Sequence, residues 1–238
     1  MMKVDFHVHS VSSDDGLSTV EQLAAAAKKR GLDAICICDH NRFTLTQTQC
    51  IDGVTVFPGC ECSTDHGHIL ALFCRAPFEW ERKPLPRVAD IIQKIHENGG
   101  IAVLAHPYEK ANADPAAISP LPDGVEACNS RAYFHNPAAN DMALQFARQH
   151  GLVEFGGSDA HSAAAVGNCY TEVTAEKPEE IEGAVRRGAC SGVWLQNTPR
   201  VQKGLSQFKK ARNSRRPLRI LKGVCYLFYC LLRDLFRI

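Results

Sequence analysis

No C-x-x-C pair occurs among the eleven cysteines of this 238-residue chain, which excludes zinc ribbons and thioredoxin-like redox motifs. There is no G-x-G-x-x-G and no Walker loop, so open sheets that cradle a dinucleotide or a nucleoside triphosphate lose their usual sign. Internal repeats are absent. No charged segment followed by an apolar stretch opens the chain, and an odd cysteine count leaves one thiol unpaired. The expectation is a reducing cytoplasm, with Cys36-x-Cys38 and Cys60-x-Cys62 as buried thiols in strand-like runs. An excess of one charge is also missing overall, at +1, but the near-balance conceals an asymmetry. From Lys203 onward ten Lys/Arg face one acid, Asp234, so that segment carries +9 and residues 1–202 carry −8. Two regions are expected, a domain over 1–200 and a basic tail over 203–238.

At 45% hydrophobic residues the chain can bury a substantial core. Short apolar or β-branched runs recur: KVDFHVH, DAICICDH, VTVFPGCE, HILALFC, GIAVLAH, GVEACN and LVEFGGSDAH. Helical patterns fall between several of them. In STVEQLAAAAKKRG, Ser18 reads as the N-cap with Glu21 three residues on, a basic last turn and Gly31 as the stop. Further helices are expected from about Pro86, from Asn136-Pro137 to Gly151, and from Pro178 to about Gly188. Seven strands alternating with helices predict a parallel α/β sheet, either doubly wound or closed as a barrel.

The metal-capable residues coincide with the strand ends. His7 and His9 close the first run, where alternation points both imidazoles one way. Asp39-His40 closes the second and Glu61 the third; His68 opens the fourth, His106 closes the fifth, and Asp159-x-His161 follows the seventh. In a parallel barrel the C-terminal strand ends share one mouth, so these residues would converge there. Imidazole and carboxylate ligands suit Zn²⁺, Mn²⁺ or Fe²⁺, and about nine ligands at roughly three or four per ion imply two or three metals. Phosphoester hydrolysis is the natural reaction of such a cluster.

The motifs FHVHSVSSDDG, ICDHN, LAHP and GGSDAH, supported by GCECSTDHGHILAL, resemble the PHP (polymerase and histidinol phosphatase) domains over roughly residues 2–170. The resemblance implies a distorted seven-stranded (β/α)7 barrel that holds three metals. His7, His9, Glu61 and Asp159 would hold the first; Glu61 would bridge to a second completed by His68 and His106; Asp14, His40 and His161 would hold the third. Asp14 is chosen over Asp15 by its offset from His9, and His68 over His66 because it begins ILALF. His7, His9, Glu61, Asp159 and His161 are the expected catalytic set. Asp39 reads as a group orienting an imidazole or as a strand terminator. Arg42, Arg131 and His135, next to strand ends, are candidates for substrate contact.

The reading that follows is a metal-dependent phosphoesterase acting on a small phosphomonoester. The runner-up is a 5'-3' exonuclease or phosphodiesterase whose basic tail holds a nucleic-acid backbone, weakened because aromatics are not interleaved as stacking platforms. A third is an inactive metal-binding scaffold recruited through the tail. There the longest uncharged run, GVCYLFYCLL, is half of the roughly 20 residues that a spanning helix needs. A helix starting near Pro217 would be basic and amphipathic, with Leu221, Val224, Phe228, Leu231, Leu235 and Ile238 on one face and Arg219, Lys222, Tyr226, Arg233 and Arg237 on the other. It is expected to lie on an anionic membrane surface or to pack on the barrel or a second copy, making the protein cytoplasmic or peripheral at the inner membrane face.

Overall fold

Ser18 does not cap the first helix, because its Oγ accepts from Ala163 N–H at 3.0 Å. Thr19 takes that role for α1 (Val20–Lys29): its hydroxyl accepts from Gln22 N and the Gln22 side chain accepts from Thr19 N, a reciprocal capping box displaced by one residue from the expected one. The computed structural model describes residues 1–110 and 114–236. Within them the chain runs β1 (Met2–Val8), α1, β2 (Ala34–Ile37), β3 (Gln49–Ile51), β4 (Val54–Thr64), β5 (Gly67–Leu72), α2 (Val88–Glu97), β6 (Ile101–Ala105), β7 (Gly124–Asn129), α3 (Ala139–His150), β8 (Val153–Gly157), β9 (Cys169–Val173), α4 (Ile181–Arg186), β10 (Cys190–Trp194), α5 (Arg200–Asn213) and α6 (Pro217–Phe236).

The seven expected strands are all present and form a nearly closed, barrel-like sheet in the order β10-β9-β1-β2-β4-β5-β6-β7-β8, with β3 flanking β4. Three further strands, β3, β9 and β10, are only three to five residues long, with mixed sequence (QCI, CYTEV, CSGVW) that does not announce them. The sheet is also not wholly parallel. β5 runs antiparallel to both β4 and β6, so its start, not its end, lies at the mouth where β1, β2 and β6 finish. At the closing seam Thr171 Oγ1 donates to Gly156 O and accepts from Gly156 N, both at 2.9 Å. A Cβ on Gly156 would overlap Tyr170 O, so this approach requires glycine.

Phe6, Leu70, Leu72, Val103 and Phe155 fill the interior of the barrel. Outside it, Ile91, Ile92 and Ile95 of α2 cover Ile69, Ala102 and Leu104, each fully buried isoleucine contributing about 1.5–3 kcal/mol. Leu23, Ala24 and Ala27 of α1 cover Ile35 and Ile37 in the same way. All eleven cysteines are free thiols, and Cys36, Cys38, Cys60 and Cys62 are buried.

Residues 203–238 hold a helix that sequence pattern did not announce. KGLSQFKKARNSRR has no apolar stripe, yet most of it is α5, packed antiparallel to α6. Gly204 lies where a Cβ would come within 2.9 Å of Leu227 Cδ1, and Gly223 packs on Phe208 and Ala211, so two glycines set the close approach of the helices. Asp234 of α6 accepts from Arg200 N at 2.9 Å and Val201 N at 2.7 Å, capping α5 across the hairpin. Towards the barrel, Lys209 donates to the carbonyls of Val11, Ser13 and Gly16, and Asn213 Nδ2 to Asp14 O at 3.0 Å. α6 begins at Pro217 as expected. Arg237 and Ile238, assigned to its two faces from sequence, lie outside the described residues. No helix among the described residues is long and apolar enough to cross a membrane.

Candidate metal centre

Strand alternation brings Asp5, His7 and His9 to the same side of β1, and the two imidazoles reach the barrel mouth fully buried. Their Nδ1 atoms are committed. His7 Nδ1 lies 2.9 Å from Glu126 Oε1, and His9 Nδ1 lies 3.3 Å from Ser13 Oγ, which itself donates to Asp39 Oδ1 at 2.6 Å. Each Nε2 therefore turns to the centre, and the two stand 3.0 Å apart. With the Nδ1 hydrogens so placed, two lone pairs meet head on unless a cation or a proton lies between them. Asp39 thus acts as an orienting group, reaching His9 through Ser13.

Glu61 is the hub. Its Oε1 lies 2.7 Å from His68 Nδ1, 3.1 Å from His106 Nε2 and 3.6 Å from His7 Nε2; its Oε2 lies 2.6 Å from His40 Nδ1 and 3.5 Å from His9 Nε2. His68 gets there because β5 runs antiparallel, so the first turn of that strand faces the mouth. Asp159 Oδ1 stands 3.3 Å from His9 Nε2, 3.8 Å from His7 Nε2 and 3.4 Å from His161 Nδ1. His106 and Asp159 both have left-handed backbones, φ 31° and 51°, a local cost of about 1–3 kcal/mol each that aims side chains just past a strand end into the site.

The ligand atoms fall into three groups whose members lie within 4.8 Å of one another: His9, His40 and His161; His7, His9 and Asp159; His7, Glu61 and His106. Glu61 Oε2 and Asp15 Oδ1 are buried, and the imidazole nitrogens beside them are not aligned to donate hydrogen bonds, which is costly for an acceptor unless something positive sits against it. The donor set, neutral imidazole with carboxylate, suits a borderline or hard divalent ion. These residues fit divalent metals.

Charges at the site push the titrating groups far apart. Burial alone would raise the Glu61 carboxyl, but the His68, His40 and His7 imidazoles outweigh it and hold the group well below the usual range. Asp159 is likewise held low against burial, by Arg131 and His7. Burial opposes the imidazolium at His40 and His106, yet the neighbouring carboxylates raise them to about 10 and about 9. His7 is raised by Glu126, Asp159 and Glu61, whereas His9, under burial and the charges of His161 and His40, falls to about 3.

At one expected position the geometry favours the neighbouring residue. Asp14, expected at the third position, is exposed on the rim, while the neighbouring Asp15 is buried with Oδ1 3.4 Å from both His40 Nε2 and His161 Nε2. The turn between Ser10 and Gly16 brings in the second of the two aspartates, and a spacing rule cannot separate adjacent residues. His66, the rival of His68, is half-exposed and pairs with Asp65 at 3.1 Å.

The three substrate candidates occupy different places. Arg131 is buried; its Nη1 donates to Asp159 O at 3.1 Å, stands 3.7 Å from Asp159 Oδ1 and contacts His161 Nδ1. Arg42 lines a rim pocket of about 340 Å³ with His40, His68, Arg82 and Lys210. His135 is exposed and accepts from Lys203 Nζ at 2.8 Å. Lys203 itself, assigned to the basic tail, is buried at the mouth, 3.3 Å from Glu109 Oε1, and Glu109 Oε2 lies 3.8 Å from His106 Nδ1. Sequence reasoning missed Glu126, Glu109 and Lys203. A signal existed for Glu126, a lone acid between Val125 and Ala127 in a mostly apolar strand, since a buried carboxylate must have partners. For Lys203 none existed, because its place depends on how α5 docks.

Comparison with known proteins points to the same fold. Residues 5–99 match the family model described as PHP domain, and residues 137–190 match one described as PHP-associated. An uncharacterized protein of Methanocaldococcus jannaschii is 32% identical over 160 residues, covering 60% of this chain and 90% of that one. A protein described as a probable phosphatase from Caldicellulosiruptor saccharolyticus is 24% identical, covering 76% and 88%. Among solved structures, a two-domain Bacteroides vulgatus protein containing a predicted PHP-like metal-dependent phosphoesterase superposes with a TM-score of 0.61 at 20% identity, covering 81% of this chain and 64% of that one. A lesion-specific endonuclease from Pyrococcus furiosus gives a TM-score of 0.57 at 19% identity, covering 80% and 57%.

Proposed function

We propose that this chain, which belongs to the PHP domain family, is a metal-dependent phosphoesterase, with a small phosphomonoester as the substrate that best suits its mouth. The single observation that carries the reading is Glu61, a buried carboxylate with five imidazole nitrogens within 3.6 Å, crowded around it more closely than aligned hydrogen bonds account for. His7, His9, Asp15, His40, Glu61, His68, His106, Asp159 and His161 would hold up to three divalent ions, manganese, zinc or iron by ligand type. When bound, such ions lower the pKa of water towards neutrality and polarise phosphoryl oxygens.

The chain's own groups then do the positioning. Glu126 and Ser13 fix the imidazole tautomers of His7 and His9, which leaves their Nε2 lone pairs pointing to the centre. Arg131, buried beside Asp159 and His161, offers a guanidinium to a phosphoryl oxygen. Lys203 adds a second cation on the side of Glu109, and Arg42 a third on the opposite rim. Between the cations, two pockets of about 400 and 340 Å³ meet at His68 and leave room for the organic part of a small ester. Proton donation to the leaving oxygen falls to a histidine or acid at the mouth, and the Glu109–Lys203–His135 group is well placed for it.

The test uses purified protein with added Mn²⁺ on an aryl phosphate, a phosphodiester and a labelled oligonucleotide. Turnover of the monoester, abolished in His7→Ala and in Asp159→Ala, supports the reading. Selective cleavage of the oligonucleotide would replace it with a nuclease, the Pyrococcus neighbour being a lesion-specific endonuclease. No turnover on any of the three, with metal present by elemental analysis, would leave a binding scaffold.

A further inference from the structure

α6 is a 20-residue helix with one side on α5 and the opposite side bare. Gly223 and Cys230 mark the packed side. At helical spacing opposite them stand Leu218, Leu221, Phe228, Leu232, Leu235 and Phe236, each between 51% and 72% exposed. A soluble helix ordinarily turns charge outward, and this one turns out leucine and phenylalanine over its whole length. The barrel does not cover the face, because α5 lies between α6 and the loops at residues 11–16.

A second observation lies on the flank of the same helix. A groove of about 660 Å³ between α5 and α6 is lined by His135, Lys203, Lys210, Arg219, Lys222 and Tyr226, and no Asp or Glu contributes to it. Asp234, the one acid in this segment, is turned inward to cap α5. An apolar face bordered by cations matches the two layers of an anionic bilayer surface, acyl chains below and phosphates above. A second copy of this hairpin fits less well, because its one acid, Asp234, is turned inward on the α5 N-terminus and leaves no carboxylate to meet Arg219 and Lys222.

We propose that the α5–α6 hairpin docks the protein on an anionic phospholipid surface, with the outer face of α6 in the acyl boundary and Arg219 and Lys222 on headgroup phosphates. The helix lies in the interface and does not cross it. Arg219 and Lys222 lie outside the metal centre, so the docking does not rest on the phosphoesterase reading.

The full-length protein is floated with vesicles of phosphatidylglycerol and, separately, of phosphatidylcholine. It should float with the first and remain in the dense fraction with the second. Arg219→Gln with Lys222→Gln should lower the partition into phosphatidylglycerol about 25-fold, at roughly fivefold per cation near the surface. Leu221→Glu with Phe228→Glu and Leu232→Glu should abolish flotation with the melting curve unchanged, since all three side chains face away from the fold. Equal flotation of that triple variant and the parent, or equal flotation on both lipids, would overturn the proposal. So would a dimer seen by light scattering without lipid and lost in the triple variant when no vesicle binding occurs; the face would then belong to a second copy.

Discussion

Glu126 Oε1 accepts from His7 Nδ1 at 2.9 Å, and its other oxygen accepts from His106 N–H and from Asn129 Nδ2, both at 2.9 Å. One carboxylate thus takes three donors and holds two imidazole-bearing segments in register without itself facing the centre. Glutamine has one acceptor oxygen and would turn an amide N–H onto at least one of these donors. Glu126→Gln should therefore weaken metal binding roughly 10- to 100-fold, the usual penalty for losing an outer orienting carboxylate. Competition against a chromogenic chelator measures it, and an unchanged affinity would remove Glu126 from the site.

Asp15 and Asp14 give a sharper contrast because they are neighbours. Asp15 is buried with Oδ1 between His40 and His161 and Oδ2 3.5 Å from Lys210 Nζ, whereas the Asp14 carbonyl accepts from Asn213 and its side chain is exposed. Asp15→Asn should lower the metal content by one ion per chain and cut turnover, while Asp14→Asn should leave both near the parent. Elemental analysis of the two proteins, prepared side by side, decides it. The reverse result would restore Asp14 to the site.

These two residues also mark how far the sequence could be read. The convergence of His7, His9, His40, Glu61, His106, Asp159 and His161 was legible because each sits at the end of an apolar run, and strand ends share a mouth. His68 sits at a strand's beginning, and its convergence depends on β5 being antiparallel, which periodicity cannot reveal since both directions alternate alike. Asp15 and Glu126 were hidden for different reasons. A tight turn decides between adjacent aspartates by backbone geometry, and Glu126 lies within a strand, not at its end. α5 was opaque altogether, its helix held by Gly204 against Leu227, by Asp234 at its N-terminus and by Lys203 in the mouth, all contacts set by the tertiary fold.

Lys203 brings α5 into the chemistry. Its ammonium lies 3.3 Å from Glu109 Oε1, 2.8 Å from His135 Nε2 and 4.9 Å from the Phe134 ring centroid, so it is held on three sides in a fixed place at the mouth. Lys203→Met keeps the length of the stem and removes the charge. If the ammonium engages the substrate phosphoryl group, KM should rise about 10- to 100-fold, the worth of one charge-assisted hydrogen bond, with a smaller change in kcat. Steady-state kinetics on the best monoester gives the split, and a fall in kcat at constant KM would move Lys203 from binding to proton transfer.

Protonation of the stripped site supplies a test that needs no substrate. With carboxylates outweighing burial, His40 titrates at about 10 and His106 at about 9 in the folded, metal-free chain, both above the ordinary 6.5. A histidine whose pKa is raised by folding stabilises the fold fully below its unfolded value, and that contribution disappears as pH rises through the folded value. The stripped protein should therefore lose melting temperature between pH 6.5 and about 9 to 10. Metal binding requires neutral imidazole, so loading at about pH 7 must expel these protons. Calorimetric titration of the stripped protein with Zn²⁺ in buffers of different ionisation enthalpy should show about two protons released from His40 and His106, and more if His7 also gives up its own. Once loaded, the protein should show a flatter stability profile over the same range, because its imidazoles no longer titrate there. An apparent enthalpy independent of buffer would mean that these histidines are already neutral before metal arrives, and Glu61 would then hold no imidazolium for an ion to replace.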